Sequence, residues 1–331
     1  MRGIVLRGTG GIWRVRTDSG ETHDASLRGR LKQDDARKLA VGDEVVLEEG
    51  ERGGAWAIAE IAPRRSRLVR RSPGGAYGER IVATNIDQVV IVFAAAQPEP
   101  HPRMLDRFLV VAEANELPAR VVINKADLAP DGEPEARFAE YARIGYPLHV
   151  TSVKRGSGLA ELRAVLVGGD VAVEGAVEGA SADSPARHAR VSALSGPSGV
   201  GKSSLLNALF PGFSLRVGEI SRSVNKGRHT TVGAELHPLP PVEGALGGYV
   251  VDTPGLREVG VWGVPPEALD SCFPEFRAHL GHCRFGDCTH AVEPGCAVRA
   301  AVERGEVSAA RHESYLKLRG ELAEDAQVWP R

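Results

Sequence analysis

Residues 196–203 read Gly-Pro-Ser-Gly-Val-Gly-Lys-Ser, the GxxxxGK[ST] spacing of a phosphate-binding loop. This spacing constrains the fold more than any other feature, because the loop works only between a strand and the N-terminus of a helix. There the glycines let backbone N–H groups wrap an oxyanion. The flanking VSALS and SLLNALF supply that strand and that helix. The motif gives Gly196, Pro197, Ser198, Gly199, Val200, Gly201 and Ser204 to phosphate contact, Lys202 to the β and γ oxygens, and the Ser203 hydroxyl to Mg²⁺.

Two further motifs name the nucleotide. Asp252-Thr-Pro-Gly255 follows the apolar YVV, where Asp252 can hold Mg²⁺ through water and the Gly255 N–H can meet a γ-phosphate. Asn124-Lys125-Ala126-Asp127 follows the apolar VVI, and a carboxylate there accepts from both N1–H and N2–H₂ of guanine. Adenine lacks that pair of donors, so the discrimination is of the large, polar-pairing kind. In this reading Asn124 braces the loops and Lys125 lies along the base plane. Thr151-Ser152-Val153 is placed to reach the guanine oxygen through backbone N–H groups.

The order of these motifs is inverted. The base-recognition motif at 124 precedes the phosphate loop at 196 and DTPG at 252, whereas ordinary small GTPase domains run the other way. Joining the halves head to tail restores the usual strand sequence, so the domain is a circularly permuted GTPase. Apolar runs at 86–96, 119–123, 147–151, 188–194, 234–239 and 249–251 predict its strands, and 103–115 and 158–166 its helices. Strands alternating with helices mean an α/β domain around a mostly parallel sheet. Between 168 and 186 the chain is small and acidic, and reads as a surface insertion without chemistry.

The flanks have a different texture. Five short β segments, at 3–8, 12–17, 22–29, 43–49 and 55–61, predict a small barrel. Arg64, Arg65, Arg67, Arg70 and Arg71 follow without an acid between them, either as a solvated linker or as a phosphate-contacting stripe. Residues 1–75 carry net charge +4 and the rest −6, so the overall −2 conceals a basic N-terminal module. At the other end, Cys283-x₄-Cys288-x-His290-x₅-Cys296 offers three thiols and an imidazole, enough to close a structural zinc site. His279 and His282 lie near enough to compete with His290, and Cys272 reads as a small buried hydrophobe. Helices are predicted over 297–304 and 308–324, the second with Tyr315, Leu318 and Leu322 on one face. The longest apolar run, 89–96, is eight residues against the roughly 20 a spanning helix needs, so no membrane partner and a cytoplasmic location are expected.

Together LRGRL, LAVGD, ATNIDQVVIVFAA, RMLDRFLV, NKADL, GPSGVGKSSLLNAL, GRHTT and DTPGLRE make the chain resemble the ribosome small subunit-dependent GTPase A family of circularly permuted GTPases. The resemblance covers nearly the whole length. It implies an N-terminal OB-fold, which agrees with the five-strand reading, then the permuted GTPase domain and a C-terminal zinc domain. Boundaries are expected as 1–65 for an RNA-binding OB barrel, 66–80 for an Arg-rich linker, 81–260 for the GTPase and 261–331 for a small helical zinc domain. The family pattern favours Cys288, His290 and Cys296 beside Cys283 as zinc ligands. It makes 227–231 the first switch loop, with Thr231 on Mg²⁺ and His229 as the group that orients water, since Leu256 stands where Ras-type GTPases have a Gln. Slow intrinsic turnover is expected, stimulated by the small ribosomal subunit. A monomer is expected. RNA recognition by Trp13, Trp56, the barrel arginines and the 64–71 stripe fits this reading, although each Trp taken singly is more often core. The alternatives are a permuted GTPase acting on the large subunit, or an RNA-binding scaffold that uses GTP as a structural switch.

Overall fold

The computed structural model describes residues 1–28, 39–50, 55–71, 79–168, 189–211, 234–241, 247–252 and 264–328. Five strands at the N-terminus, β1 (Arg2–Thr9), β2 (Ile12–Thr17), β3 (Thr22–Leu27), β4 (Glu44–Glu49) and β5 (Trp56–Ile61), close into a barrel in the order β1-β2-β3-β5-β4. Closure through the parallel β3–β5 pair removes free edges. Val5, Val15, Ala25, Leu27, Val45, Leu47 and Ile58 fill the interior. Trp13 and Trp56 flank inward-facing Ala25 in register and pack against this core, so they belong to the barrel before they belong to a ligand.

The expected linker over 66–80 is different in kind. β6 (Arg67–Arg71) pairs antiparallel with β7 (Glu79–Thr84) as a two-stranded ribbon, with Leu68 and Ala83 fully buried. This ribbon is clamped to the barrel. Asp43, fully buried, accepts from Arg64 Nε at 2.7 Å and Nη2 at 2.8 Å, from the Thr84 hydroxyl at 2.8 Å and from the Ala40 N–H at 2.7 Å. Gly42 sits so close to the ribbon that a Cβ there would lie 2.2 Å from the Thr84 carbonyl oxygen.

The central sheet has, among the described residues, the strand order β10-β9-β8-β11-β13-β12. Its members are β8 (Gln88–Ala94), β9 (Ala119–Asn124), β10 (Leu148–Val150), β11 (Arg190–Ser195), β12 (Glu235–Leu239) and β13 (Gly248–Asp252). All pairs are parallel except β12 with β13. β8 is buried along its whole length, which is why its sequence reads as a continuous apolar run. Odd-numbered residues of β8, such as Val89, Ile91 and Phe93, face α1 (Pro102–Ala114) and α2 (Glu133–Ile144) through Leu105, Phe108, Leu109, Phe138 and Tyr141. Val90 and Val92 face α3 (Leu159–Val167) and α4 (Lys202–Leu209) through Leu162, Leu166, Leu205 and Leu206. The strands and helices read from the sequence are all present, and α2 is an addition.

The C-terminal unit holds three 3₁₀ turns (Pro266–Ala268, Asp270–Cys272, Pro274–Phe276), then α5 (Ala297–Glu303) and α6 (Ala309–Val328). Tyr315, Leu318 and Leu322 are buried on one face of α6, as expected, and Cys272 is buried with them. The unit's apolar core extends to Val110 of α1. Beside that contact Arg311, 1% exposed, donates to Asp106 Oδ1 at 2.5 Å and to Glu275 Oε1 and Oε2 at 2.7 and 3.2 Å. Its guanidinium also lies 4.5 Å from the centre of the Phe273 ring. Asp106 takes a further bond from the Tyr141 hydroxyl at 2.9 Å.

Because removing one partner strands the others in a low-dielectric site, Arg311→Ala is expected to destabilise the protein by about 3–5 kcal/mol. Urea unfolding checks this, as a lowered midpoint relative to the parent chain.

Candidate nucleotide-binding site and metal cluster

The expected nucleotide residues that are described lie at the carboxyl ends of β9, β10, β11 and β13. The phosphate loop leaves β11 by crossing the end of β8. Gly196 has φ +128°, and a Cβ there would sit 2.1 Å from the Val92 carbonyl oxygen. At Gly201 (φ +93°) a Cβ would sit 2.7 Å from Asn124 Nδ2. Both glycines are therefore demanded by positive φ and by close approach. α4 begins at Lys202, so the N–H groups of its first turn open toward the loop. Lys202 is buried, and its ammonium donates across the loop to the carbonyls of Gly196 and Pro197, at 2.6 Å each. Ser203 is buried beside it.

Asn124, 1% exposed at the end of β9, ties the site together. Its Nδ2 donates to the Val200 carbonyl of the phosphate loop at 3.0 Å, and its Oδ1 accepts from the Thr151 hydroxyl at 3.2 Å. One carboxamide thus joins the base-recognition loop, the phosphate loop and the 151–152 loop. Lys125 takes a left-handed backbone (φ +58°) and donates its ammonium to the Gln97 carbonyl. Pro98 lies against the phosphate loop, its Cδ 3.8 Å from where a Cβ on Gly199 would be. Residues 97–98 were not read from the sequence as part of the site; a carbonyl contact leaves no side-chain signature.

Asp127 lies in the 3₁₀ turn Ala126–Leu128 that follows Lys125. The Ser152 hydroxyl donates to Asp127 Oδ1 at 2.6 Å while accepting from the Arg155 N–H at 3.1 Å. That hydroxyl holds the Asp127 carboxyl below the ordinary carboxylate range. Two of the three backbone N–H groups of the expected 151–153 contact have partners within the protein. The Thr151 N–H donates to Ile123 and the Ser152 N–H to Ser157, and Ser152 meets Asp127 through its hydroxyl. Asp252 ends β13 in register with Leu194, level with the start of the phosphate loop. His229, Thr231, Gly255 and Leu256 lie outside the described residues, as does the acidic stretch beyond Gly168.

Among the expected RNA contacts, Arg64 and Arg65 have other employment. Arg64 is the clamp on Asp43, and Arg65 Nη1 lies 2.8 Å from Asp87 Oδ1. Arg67 is exposed; Arg70 and Arg71 lie on β6, their side chains outside the description.

In the C-terminal unit Cys283, Cys288, His290 and Cys296 bring their ligand atoms within 4.8 Å of one another, and none of the cysteines is in a disulfide. The Cys283 Sγ to His290 Nδ1, Cys283 Sγ to Cys296 Sγ and His290 Nδ1 to Cys296 Sγ distances are 3.6, 3.9 and 3.4 Å. Those are the edges of a tetrahedron whose centre-to-ligand bonds are about 2.0–2.3 Å. His290 holds φ +60°, and its other nitrogen meets Asp270 Oδ2 at 3.4 Å, which fixes Nδ1 toward the sulfurs. Backbone N–H groups of Ala297 and Arg299 point at the sulfurs of Cys283 and Cys296, at 3.3 and 3.4 Å. Burial, together with the neighbouring thiols, pushes Cys288 up to about 12. Three thiols so crowded become thiolates together only around a cation, so this cluster can hold a metal ion. Asp270 carried no sequence signal, since it lies 20 residues from His290.

Ser152→Ala removes the donor that depresses Asp127. On acidification the variant is expected to lose GTP affinity at a higher pH than the parent, because without the Ser152 hydroxyl the Asp127 carboxyl takes up its proton more readily. Titrating GTP binding from about pH 4 to 7 measures the displacement.

Known proteins resemble the chain over nearly its whole length. The model of the family described as RsgA GTPase matches residues 61–182 and 178–262. The "Small ribosomal subunit biogenesis GTPase RsgA" of Gemmatimonas aurantiaca is 57% identical over 323 residues, 97% of either chain. That of Bacteroides fragilis is 36% identical over 96% of either chain. Among solved structures, YjeQ from Thermotoga maritima superposes with a TM-score of 0.74 at 34% identity, covering 97% of this chain and 98% of that one. YloQ, described as a circularly permuted GTPase, superposes at 0.71 with 27% identity, covering 100% of this chain and 96% of that one. A family model matching most of the chain, and relatives that match over nearly its whole length, show that the chain belongs to the RsgA GTPase family.

Proposed function

We propose that the chain is a GTP hydrolase that engages the small ribosomal subunit and assists its late maturation, the subunit stimulating turnover. The observation that carries this is the Asn124 tie between the Asp127 loop and the phosphate loop. It supports one closed guanine-nucleotide site built from both halves of the permuted chain. The relatives' shared name, small ribosomal subunit biogenesis GTPase, supplies the partner.

In this reading Asp127 selects guanine, with Asn124, Lys125 and Ser152 positioning it. Gly196, Pro197, Ser198, Gly199, Val200, Gly201 and Ser204 cradle the phosphates, and Lys202 turns from the loop carbonyls to the β and γ oxygens. Ser203, Thr231 and Asp252 would hold Mg²⁺, which supplies charge neutralisation on the phosphates. Gly255 meets the γ-phosphate and His229 orients water. Cys283, Cys288, His290 and Cys296 would hold one structural Zn²⁺, the metal that a closed tetrahedral thiolate–imidazole set suits. The barrel of 1–65 and the Arg67, Arg70 and Arg71 ribbon arm face rRNA, the GTPase spans 81–260, and 261–331 is the zinc unit. No helix among the described residues is long and apolar enough to cross a membrane, and a monomer working in the cytoplasm fits.

The test is GTP turnover with and without purified small subunits. Turnover rises many-fold with small subunits and not with large ones; equal rates in all three overturn the proposal. Metal analysis is expected to return one zinc per chain. Chelation is expected to unfold the C-terminal unit, seen as loss of protease resistance after residue 264.

A further inference from the structure

Between β8 and α1 the chain reads Gln97-Pro-Glu-Pro-His-Pro102. Three of these six residues are prolines, which carry no N–H, so half of the segment's backbone donors are missing. Residues 97–99 are exposed. Yet the segment borders both loops of the nucleotide site: the Gln97 carbonyl accepts the Lys125 ammonium, and Pro98 lies against Gly199 of the phosphate loop. Gln97 holds φ +52°, a left-handed backbone that persists outside glycine only where neighbours hold it.

That support comes from α2. Arg137 Nη2 donates to Glu99 Oε1 and, at 3.4 Å, to the carbonyl of buried Pro100. One turn further on, the Tyr141 hydroxyl lies 3.2 Å from the Pro102 carbonyl. Residues four apart share a helix face, so α2 presents both groups to the segment in order. Glu133, one turn earlier, lies 3.8 Å from Arg137 Nη1. Among the described residues, the hydrogen bonds that tie 97–100 to other segments come from Lys125 and Arg137 alone. The acceptor that receives Lys125 is thus held from α2.

Lys125 in turn has a set course. Its Cε passes 3.8 Å from where a Cβ on Gly201 would be, so its stem runs beside the phosphate loop and its ammonium ends on Gln97. In the proposed site that stem lies along the guanine plane. Displacing Gln97 displaces the end of the stem.

We infer that Arg137 is a positioning residue for the guanine nucleotide: by holding Glu99 and Pro100 it fixes the Gln97 carbonyl, and through that carbonyl the Lys125 side chain against the base. The inference rests on the proposed function. It adds a residue that touches no nucleotide and gives α2 a part in the site.

The test uses the full chain. In Arg137→Ala without nucleotide, labelling of Lys125 by acetic anhydride, read by mass spectrometry, is expected to rise about twofold or more, while exposed Lys154 is labelled as in the parent. The Kd values for GTP and GDP are expected to rise together, about two- to fivefold, the range an exposed ion pair carries. They rise together because Lys125 serves the base, which both nucleotides share. The KM for GTP rises by the same factor, and kcat at saturating GTP and small subunits stays parental, a split that general loosening of the fold would not give. Glu99→Gln is expected to act in the same direction, and Arg137→Ala with Glu99→Gln to match Arg137→Ala alone. Parental labelling of Lys125 in Arg137→Ala overturns this inference alone, as does parental GTP affinity or an additive loss in the double variant. A parent chain that binds no GTP overturns the proposed function and this inference with it.

Discussion

The hydrogen bond from Asn124 to the Val200 carbonyl is the contact on which the nucleotide site depends. Permutation places the base-recognition loop and the phosphate loop in chain segments 76 residues apart, with the base loop first. The parallel pairing of β8 with β11 brings the segments side by side, but pairing alone leaves two loops free to drift at the strand ends. A buried carboxamide that loses water on both sides must keep its partners, because an unmade bond there costs about 1–3 kcal/mol. The tie is thus enforced from both directions. It also explains a glycine at 201, where any Cβ would push Asn124 away.

The two flanking units are fastened by a related device. At the barrel, fully buried Asp43 collects Arg64, Thr84 and a backbone N–H. At the C-terminal unit, Arg311 collects Asp106 and Glu275. Buried ion pairs add little net stability against an apolar core of the same shape, but a misdocked arrangement would strand their charges. They specify where each unit sits. By contrast Arg7 on β1 and Glu235 at the start of β12 face each other at 3.5 Å with both side chains about half exposed, a contact that can exchange partners at low cost.

How much of this was legible in the sequence follows from the range of each interaction. The barrel strands and the central sheet were readable because alternation and continuous apolar runs are local consequences of one-sided and two-sided burial. The nucleotide residues were readable because loop chemistry sits within a few residues. Helix α2 was not read, since Phe138 and Tyr141 are its main apolar contacts amid charged neighbours. The β6–β7 ribbon read as an arginine stripe because Leu68 and Ala83 are its fully buried pair. Asp106 and Arg311 lie 205 residues apart, and no local pattern announces such a partnership. Arg64 looked like a phosphate contact for the same reason: Asp43 lies 21 residues upstream, on the far side of β4 and β5.

The strand order has a consequence for how the chain is made. β8, β9 and β10 form one half of the sheet, and β11, β13 and β12 the other, so the halves meet along the single β8–β11 seam, where Gln88 bonds Ser192 across 104 positions. During synthesis the barrel and the first half-sheet emerge while β8, the most apolar strand, still lacks its neighbour. Until the second half arrives, that strand is a sticky open border of the kind that recruits other chains. Nucleotide cannot be gripped before the border closes, because the phosphate loop comes with the closing strand. The permuted order therefore makes ligand capture a late event in the birth of the protein.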